Sequence, residues 1–379
     1  MKLALVHDWL NQRGGAEDVL ETLVALYPES PVITGLYAPD LMPESYRAWN
    51  IQTLWIDKLP GIHNHHQPYL PVYPFAWDGY HPHEYDVLLS NKSGFCHGLR
   101  QGKNTLHICY CLAPTRYVWQ LDAYIAREGI GGIAQVGLRP LVQALKKWDY
   151  DAAQRVDHFI AISSDIQQRV SLYYDRESVV IFPPVDTSRF QPSPVVEDYF
   201  LIVSRLIPYK RIDLAVLAAT RLGVPLKIGG RGRDLERLEE MAGPTVEFLG
   251  YVPDDQLPDL MARCKAFLFP GLEDFGITPV QAQAAGRPVI AYGGGGALDT
   301  VIPGRTGELF DHLSVESLMH AMASFNARAY DVKTLRAHAQ RFDTQVFNRQ
   351  ISSYVEQAWD AFRHKRAFVW RDPVAKAIE

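Results

Sequence analysis

Cysteine is scarce in this chain: four thiols, Cys96, Cys109, Cys111 and Cys264, stand among 379 residues. They are too few and too scattered for a disulfide framework or a metal-binding set. Alternation along "HICYCLAP" puts Cys109 and Cys111 on one face of a strand, where they read as small apolar residues of a buried strand. Long hydrophobic runs are lacking too. No stretch approaches the roughly 20 apolar residues that span a bilayer, and "MKLALVHDWL" meets charge too early for a signal peptide. A reducing cytoplasm is the expected setting. Positive charge is not in excess either: 38 Lys+Arg against 43 Asp+Glu give a formal net charge of -5. That excludes a general nucleic-acid binder.

What is present is the composition of an ordinary globular protein, 47% hydrophobic and 21% charged, long enough for two separate cores. "KLALVHDW" reads as a buried strand, and "NQRGGAEDVLETLVALY" as a glycine pair followed by a helix with Val19, Leu20, Leu23 and Leu26 on one face. Strand-like runs at "PVITGLY", "YDVLLS", "NTLHICYCL", "HFIAIS" and "SVVIFPPV" alternate with helical stretches, the signature of parallel βαβ units. The pattern lapses at "DTSRFQPSPVVEDY". A second series then runs through "YFLIVSRL", "PLKIGGRG", "TVEFLGYV", "KAFLFPG" and "RPVIAYGGGG", with helices beginning near Arg211, Leu235, Asp255, Thr278 and Leu298. The expected organisation is a Rossmann-like domain over residues 1–192, a second over 193–345, and a helical C-terminal segment over 346–379 that packs back on the chain. Ligands in open α/β sheets bind at the carboxyl ends of strands, so the cleft between two such sheets is the expected site.

In "VSRLIPYKRIDLAV", Arg205 and Lys210 follow a strand directly. Long cations there suit a phosphate, Arg with a two-pronged fork and Lys as a point charge, although a solvated loop accounts for their spacing equally well. "RGGAE" joins Gly14 and Gly15 to a helix start, which lets backbone approach an anion. "GGRGRD" lacks the spacing of a dinucleotide fingerprint, while "YGGGGALDT" reads as backbone bent closely around something. In "PGLEDFGITPVQAQAAGRPVIA", Glu273 stands at the mouth of a strand and Phe275-Gly276 makes a turn. A helix follows with Pro279 in its first turn. That helix start suits phosphate, and Glu273 and Gln281 suit sugar hydroxyls.

The order "HDWL...GGAE", "YCLAPTRYVW", "FPPVDTSRF", "SRLIPYKRIDLAV" and "EDFGITPVQAQA" resembles the retaining glycosyltransferases of family 4, closest to the branch that builds bacterial polysaccharide and O-antigen chains, often from GDP-mannose. The resemblance covers nearly the whole chain. It implies an α/β GT-B fold, two Rossmann-like domains facing across a cleft, with a C-terminal helix returning to an acceptor-binding N-terminal domain. It also implies that Arg205 and Lys210 hold the donor diphosphate, that Gly14 and Gly15 form the loop beside it, and that Glu273 touches the transferred sugar. Phe275, Gly276, Ile277 and Thr278 would line the donor pocket. The implied activity is metal-independent transfer of a hexose from a nucleotide sugar to a glycan or polyprenyl-linked glycan. No further cofactor is implied, and no nucleic-acid partner. Two positions depart from the family: Gln281 stands where a second glutamate usually holds the ribose, and Leu112 where this branch commonly shows a histidine that contacts the donor sugar. Two competing readings are a GT-B binding or partner subunit with little activity, motivated by these departures, and a sugar-nucleotide epimerase.

"GIHNHHQPYLPVYPFAWDGYHPHEYD" carries five histidines, His63, His65, His66, His81 and His83, without metal-ligand spacing. Its Tyr69, Tyr73, Trp77 and Tyr80 suit either an acceptor surface or packing under a long loop. In "WDAFRHKRAFVWRD", Arg363, Lys365, Arg366 and Arg371 alternate with Phe362, Phe368 and Trp370. Such a segment either settles peripherally on the inner face of an anionic membrane or docks onto the N-terminal domain.

Overall fold

The computed structural model describes residues 1–120 and 132–374. The chain forms two compact units, one of Met1–Phe182 with Phe347–Glu379 and one of Pro183–Val346. In the first, strands β1 (Leu3–His7), β2 (Val32–Thr34), β3 (Ile51–Thr53), β4 (Val87–Lys92), β5 (Leu106–Cys111), β6 (His158–Ala161) and β7 (Ser178–Val180) pair in the order β3-β2-β1-β4-β5-β6-β7. The pairings are parallel. Every residue of β1, β4 and β5 is buried, as parallel strands covered on both faces require, which is why these runs do not alternate in polarity. All four cysteines are free and buried, Cys109 and Cys111 on β5.

The second unit repeats the plan with β8 (Phe200–Val203), β9 (Leu226–Gly229), β10 (Val246–Gly250), β11 (Ala266–Phe269), β12 (Val289–Tyr292) and β13 (Gly307–Phe310), ordered β10-β9-β8-β11-β12-β13. Its core gathers Phe200, Ile202, Leu214, Leu226, Ile228 and Leu268 with the inward face of the helix Ile212–Leu222. In both sheets the chain starts at a central strand, winds outward, then returns to wind the other way. The strand order therefore reverses between β1 and β4 and between β8 and β11, and the loops beyond those strand ends diverge enough to admit a ligand.

The C-terminal helix Thr344–Arg363 buries Phe347, Ile351, Tyr354, Val355 and Ala358. Phe347 meets Tyr110 of the first unit edge-on, with ring centroids 5.6 Å apart. The sequence pattern makes the C-terminal segment 346–379 helical, but the helix stops at Arg363. Lys365 takes a left-handed φ of 52°, which brings the Arg366 N–H within 2.9 Å of the Ala361 carbonyl and satisfies the open helix end. Phe368 then packs on His158 and Tyr354, and Trp370 on Tyr354. These two aromatics of the basic tail are thus packing residues of the first unit, while Arg363, Lys365 and Arg366 remain exposed. Residues 375–379 of the expected C-terminal segment lie outside the described residues. Among the described residues no helix is long and apolar enough to cross a membrane.

Buried imidazoles tie stability to pH. Burial pushes His107 down to about 3 and His158 and His338 to about 4. His107 Nδ1 and His338 Nε2 have no hydrogen-bond partner among the described residues, as neutral rings tolerate better than charged ones. The unfolded chain therefore binds more protons between pH 4 and 6.5, and stability falls as pH drops through that window. Moving His338 alone from 6.5 to about 4 corresponds to roughly 3 kcal/mol. We expect the melting temperature to fall steeply from pH 6.5 to pH 4; a flat profile there shows these rings to be charged or solvated in the fold.

Candidate functional site

At the carboxyl end of β8 the chain runs through Ser204, Arg205 and Leu206 to a single turn, Pro208–Lys210. Arg205 is exposed and forms no ion pair among the described residues. Lys210, by contrast, pairs with Glu273, which lies beyond the neighbouring strand β11; the two side chains are only 14% and 19% exposed. The point where strand order reverses in the second unit thus brings together the cation and the carboxylate singled out from sequence.

Three glycine-bearing loops hold these segments in place. A Cβ on Gly230 would sit 1.8 Å from the Ser204 carbonyl oxygen, and one on Gly232 would sit 2.1 Å from that of Leu206, so "GGRGRD" is a buttress for the Arg205 segment. The Leu206 N–H donates to the Arg231 carbonyl at 3.0 Å and the Asp234 N–H to that of Leu206 at 3.1 Å. The loop Gly293–Gly296 bends around Glu273 itself: the Gly296 N–H donates to the Glu273 carbonyl at 2.8 Å, and a Cβ on Gly295 would lie 2.2 Å from that oxygen. Gly276 takes a φ of 102°, which L side chains rarely adopt, and turns the chain into the helix Ile277–Ala284. The positive end of that helix follows directly on Glu273.

Ile277, Thr278 and Gln281 are half-buried on this helix, and among the described residues no side-chain hydrogen bond engages Thr278 or Gln281. The Phe275 side chain faces inward. It is 4% exposed, with its ring 5.7 Å from that of Phe342, because the turn at Gly276 points it into the core. Two other concave grooves on this unit, one along β13 and the other between β9, β10 and the helix Leu257–Arg263, are not lined by Arg205, Lys210 or Glu273.

Gly14 and Gly15 belong to the first unit, where they open the helix Gly15–Leu26. Its first turn already carries Glu17 and Asp18. Glu17 faces His7 at 3.2 Å in the buried interior, and Asp18 lies 3.7 Å from Arg13. An anion at this helix start therefore meets carboxylates as well as open N–H groups. Tyr73 and Trp77, one helical turn apart, are fully buried in the core, so packing accounts for both; Phe75 between them points outward, 74% exposed. The five histidines of that loop disperse: His66 stacks on Trp9, His63 bonds Asp57, and His81 lies near His83.

Sequence reasoning missed two polar constructions beyond β4. The Asp8 carboxylate accepts the N–H groups of Ser93, Gly94 and Cys96 at 2.7, 2.6 and 2.7 Å, so the "HDW" aspartate shapes the loop at the reversal point of the first sheet. Next to it Lys92, fully buried, donates to the Ala113 carbonyl at 3.0 Å and to Thr115 Oγ at 3.2 Å. Asp149 completes this cluster. Its oxygens accept from Thr115, Trp119 Nε1 and the Tyr174 hydroxyl at 2.7, 2.6 and 2.7 Å, with His97 Nε2 at 3.4 Å. Burial opposes the Lys92 charge, but Asp149 outweighs it together with Cys111, Cys109 and Asp8, so the pKa of the ammonium is raised. The cluster fixes "LAPTRYVW", whose Leu112 is buried at 8% exposure. A lysine ending the apolar run "VLLSNK" was the available signal.

The family model for glycosyl transferases group 1 matches residues 186–340. A GDP-mannose-dependent alpha-mannosyltransferase of Mycolicibacterium smegmatis is 33% identical over 259 residues, 64% of this chain and 69% of that protein. A GDP-mannose-dependent alpha-(1-6)-phosphatidylinositol monomannoside mannosyltransferase of the same organism is 34% identical over 175 residues, 38% of this chain and 46% of the relative. The match thus spans about half the length of such curated relatives. Among solved structures, Anabaena HepE in complex with UDP superposes with a TM-score of 0.70 at 20% identity, covering 94% of this chain and all of that one. The sucrose-phosphate synthase of Thermosynechococcus elongatus gives 0.67 at 18%, again over 94% of this chain and 100% of the other.

Proposed function

The chain belongs to the family of glycosyl transferases group 1, and on that premise we propose that it moves a hexose from a nucleotide diphosphate sugar to a glycan or polyprenyl-linked glycan acceptor, with retention and without a metal ion. The observation that carries this reading is the meeting of Lys210 and Glu273 at the strand-order reversal of the second unit, with Arg205 exposed on the same loop. As the bond between the sugar's C1 and the diphosphate oxygen breaks, negative charge grows on the leaving phosphate, and Arg205 and Lys210 neutralise it. The acceptor oxygen bonds C1 on the face the phosphate leaves, and its proton passes to a phosphate oxygen. Glu273 accepts hydrogen bonds from sugar hydroxyls and orients the ring. Ile277 and Thr278 contribute helix-start backbone to the phosphates, and Gln281 meets the ribose. The names of the mycobacterial relatives support GDP-mannose as donor, and a polyprenyl-linked acceptor places the reaction at the inner face of the membrane.

Proton NMR of the product formed from GDP-mannose in excess chelator tests this reading. The expected product keeps the anomeric configuration of the donor and forms at an undiminished rate; inversion, or a strict need for manganese or magnesium, refutes it. Gln281→Glu is expected to tighten nucleoside diphosphate binding several-fold in calorimetric titration, because a carboxylate accepts the two ribose hydroxyls more strongly than an amide does. Unchanged affinity removes Gln281 from the ribose.

A further inference from the structure

We propose that Glu273 is an internal competitor for the donor diphosphate, so that its carboxylate reaches the sugar only after a diphosphate has taken Lys210 from it. This inference rests on the donor reading above. Lys210 and Glu273 are partly sheltered, so their attraction is screened less than that of a surface pair. Both backbones are fixed. The Lys210 N–H closes its turn on the Ile207 carbonyl at 3.0 Å, and a Cβ on Gly271 would lie 2.8 Å from the Lys210 carbonyl oxygen. Glu273 is held by the Gly296 N–H at 2.8 Å. Only the side chains are free to exchange partners.

A diphosphate approaching this loop meets Arg205 first, because that guanidinium is exposed and carries no ion pair among the described residues. To gain Lys210 as well, it must displace a carboxylate. The displaced Glu273 is an acceptor-only group in a half-buried setting and needs new donors. The hydroxyls of the attached sugar supply them; a nucleoside diphosphate without a sugar does not. The pair therefore favours the intact donor over the spent nucleotide, and by closing again it expels the product.

Calorimetric titration of GDP and of UDP into the full chain, with inorganic pyrophosphate as a base-free probe, tests the exchange. Glu273→Gln is expected to bind the nucleotide about tenfold more tightly than wild type while losing transfer. In a Lys210→Ala background the same change is expected to bring no gain, since the competition needs the lysine. A gain of equal size without Lys210 means simple charge repulsion, and it overturns the proposal. So does equal or weaker binding by a Glu273→Gln protein whose circular dichroism matches wild type. Failure of both wild type and Glu273→Gln to bind any of the three probes overturns the donor reading and the exchange together, whereas binding without the tenfold gain overturns the exchange alone.

Discussion

Arg205→Ala and Lys210→Ala are each expected to lower turnover by about a hundredfold or more, the usual effect of removing one preorganised stabiliser of transition-state charge. The folds of both variants stay intact. Arg205 is exposed and its side chain makes no hydrogen bond or ion pair among the described residues, and the Lys210 backbone is fixed by its own turn and by Gly271. The losses differ in kind. Lys210→Ala also releases Glu273, so its effect on the nucleotide Kd is partly offset, while its effect on kcat is not. Steady-state kinetics of the two variants, with circular dichroism as control, check the pair. Near-normal turnover in both removes the diphosphate from this loop.

Asp149→Ala produces the largest loss of stability, about 3–5 kcal/mol, the range observed when one member of a buried charged cluster is removed. The carboxylate is the meeting point of Thr115, Trp119, Tyr174 and His97, and the strongest electrostatic support of Lys92. Without it three short hydrogen bonds lose their acceptor, and a buried ammonium loses its main counter-charge. Repairing the charge with Lys92→Met in the same chain recovers part of the loss, because the desolvated cation goes with its partner. Urea unfolding measures both. A cost under about 1 kcal/mol for Asp149→Ala shows that water already solvates this cluster.

Much of this architecture is legible along the chain, because each parallel strand is a short apolar run and each crossover helix carries its own apolar face. The placement of Arg205 was legible for the same reason, since a charge just past a buried strand stands at the carboxyl edge of a sheet; Lys210 and Glu273 lie further into the loops after β8 and β11, and their roles rest on the family resemblance. The glycine clusters were half-legible. Close approach was evident in "YGGGG", but its object, the backbone of Glu273 and Phe275, became visible only when β12 lay beside β11. Tyr73 and Trp77 were ambiguous because aromatic spacing alone does not say which face of a helix is inward. The Asp149 cluster was illegible for a further reason. Its members come from β4, from the turn Cys96–Gly98, from the segment after β5 and from three helices, and no local pattern encodes a meeting of groups so far apart in sequence.

As proposed, the second unit binds a nucleotide diphosphate sugar for transfer to a glycan. The most direct test is nucleoside diphosphate release from a panel of nucleotide sugars, followed with and without a polysaccharide-fragment or polyprenyl-linked acceptor. The expected result is release from one donor, GDP-mannose foremost, that depends on the acceptor and is lost in Lys210→Ala. Release that ignores the acceptor, interconversion of the sugar nucleotide without transfer, or no release from any donor contradicts it.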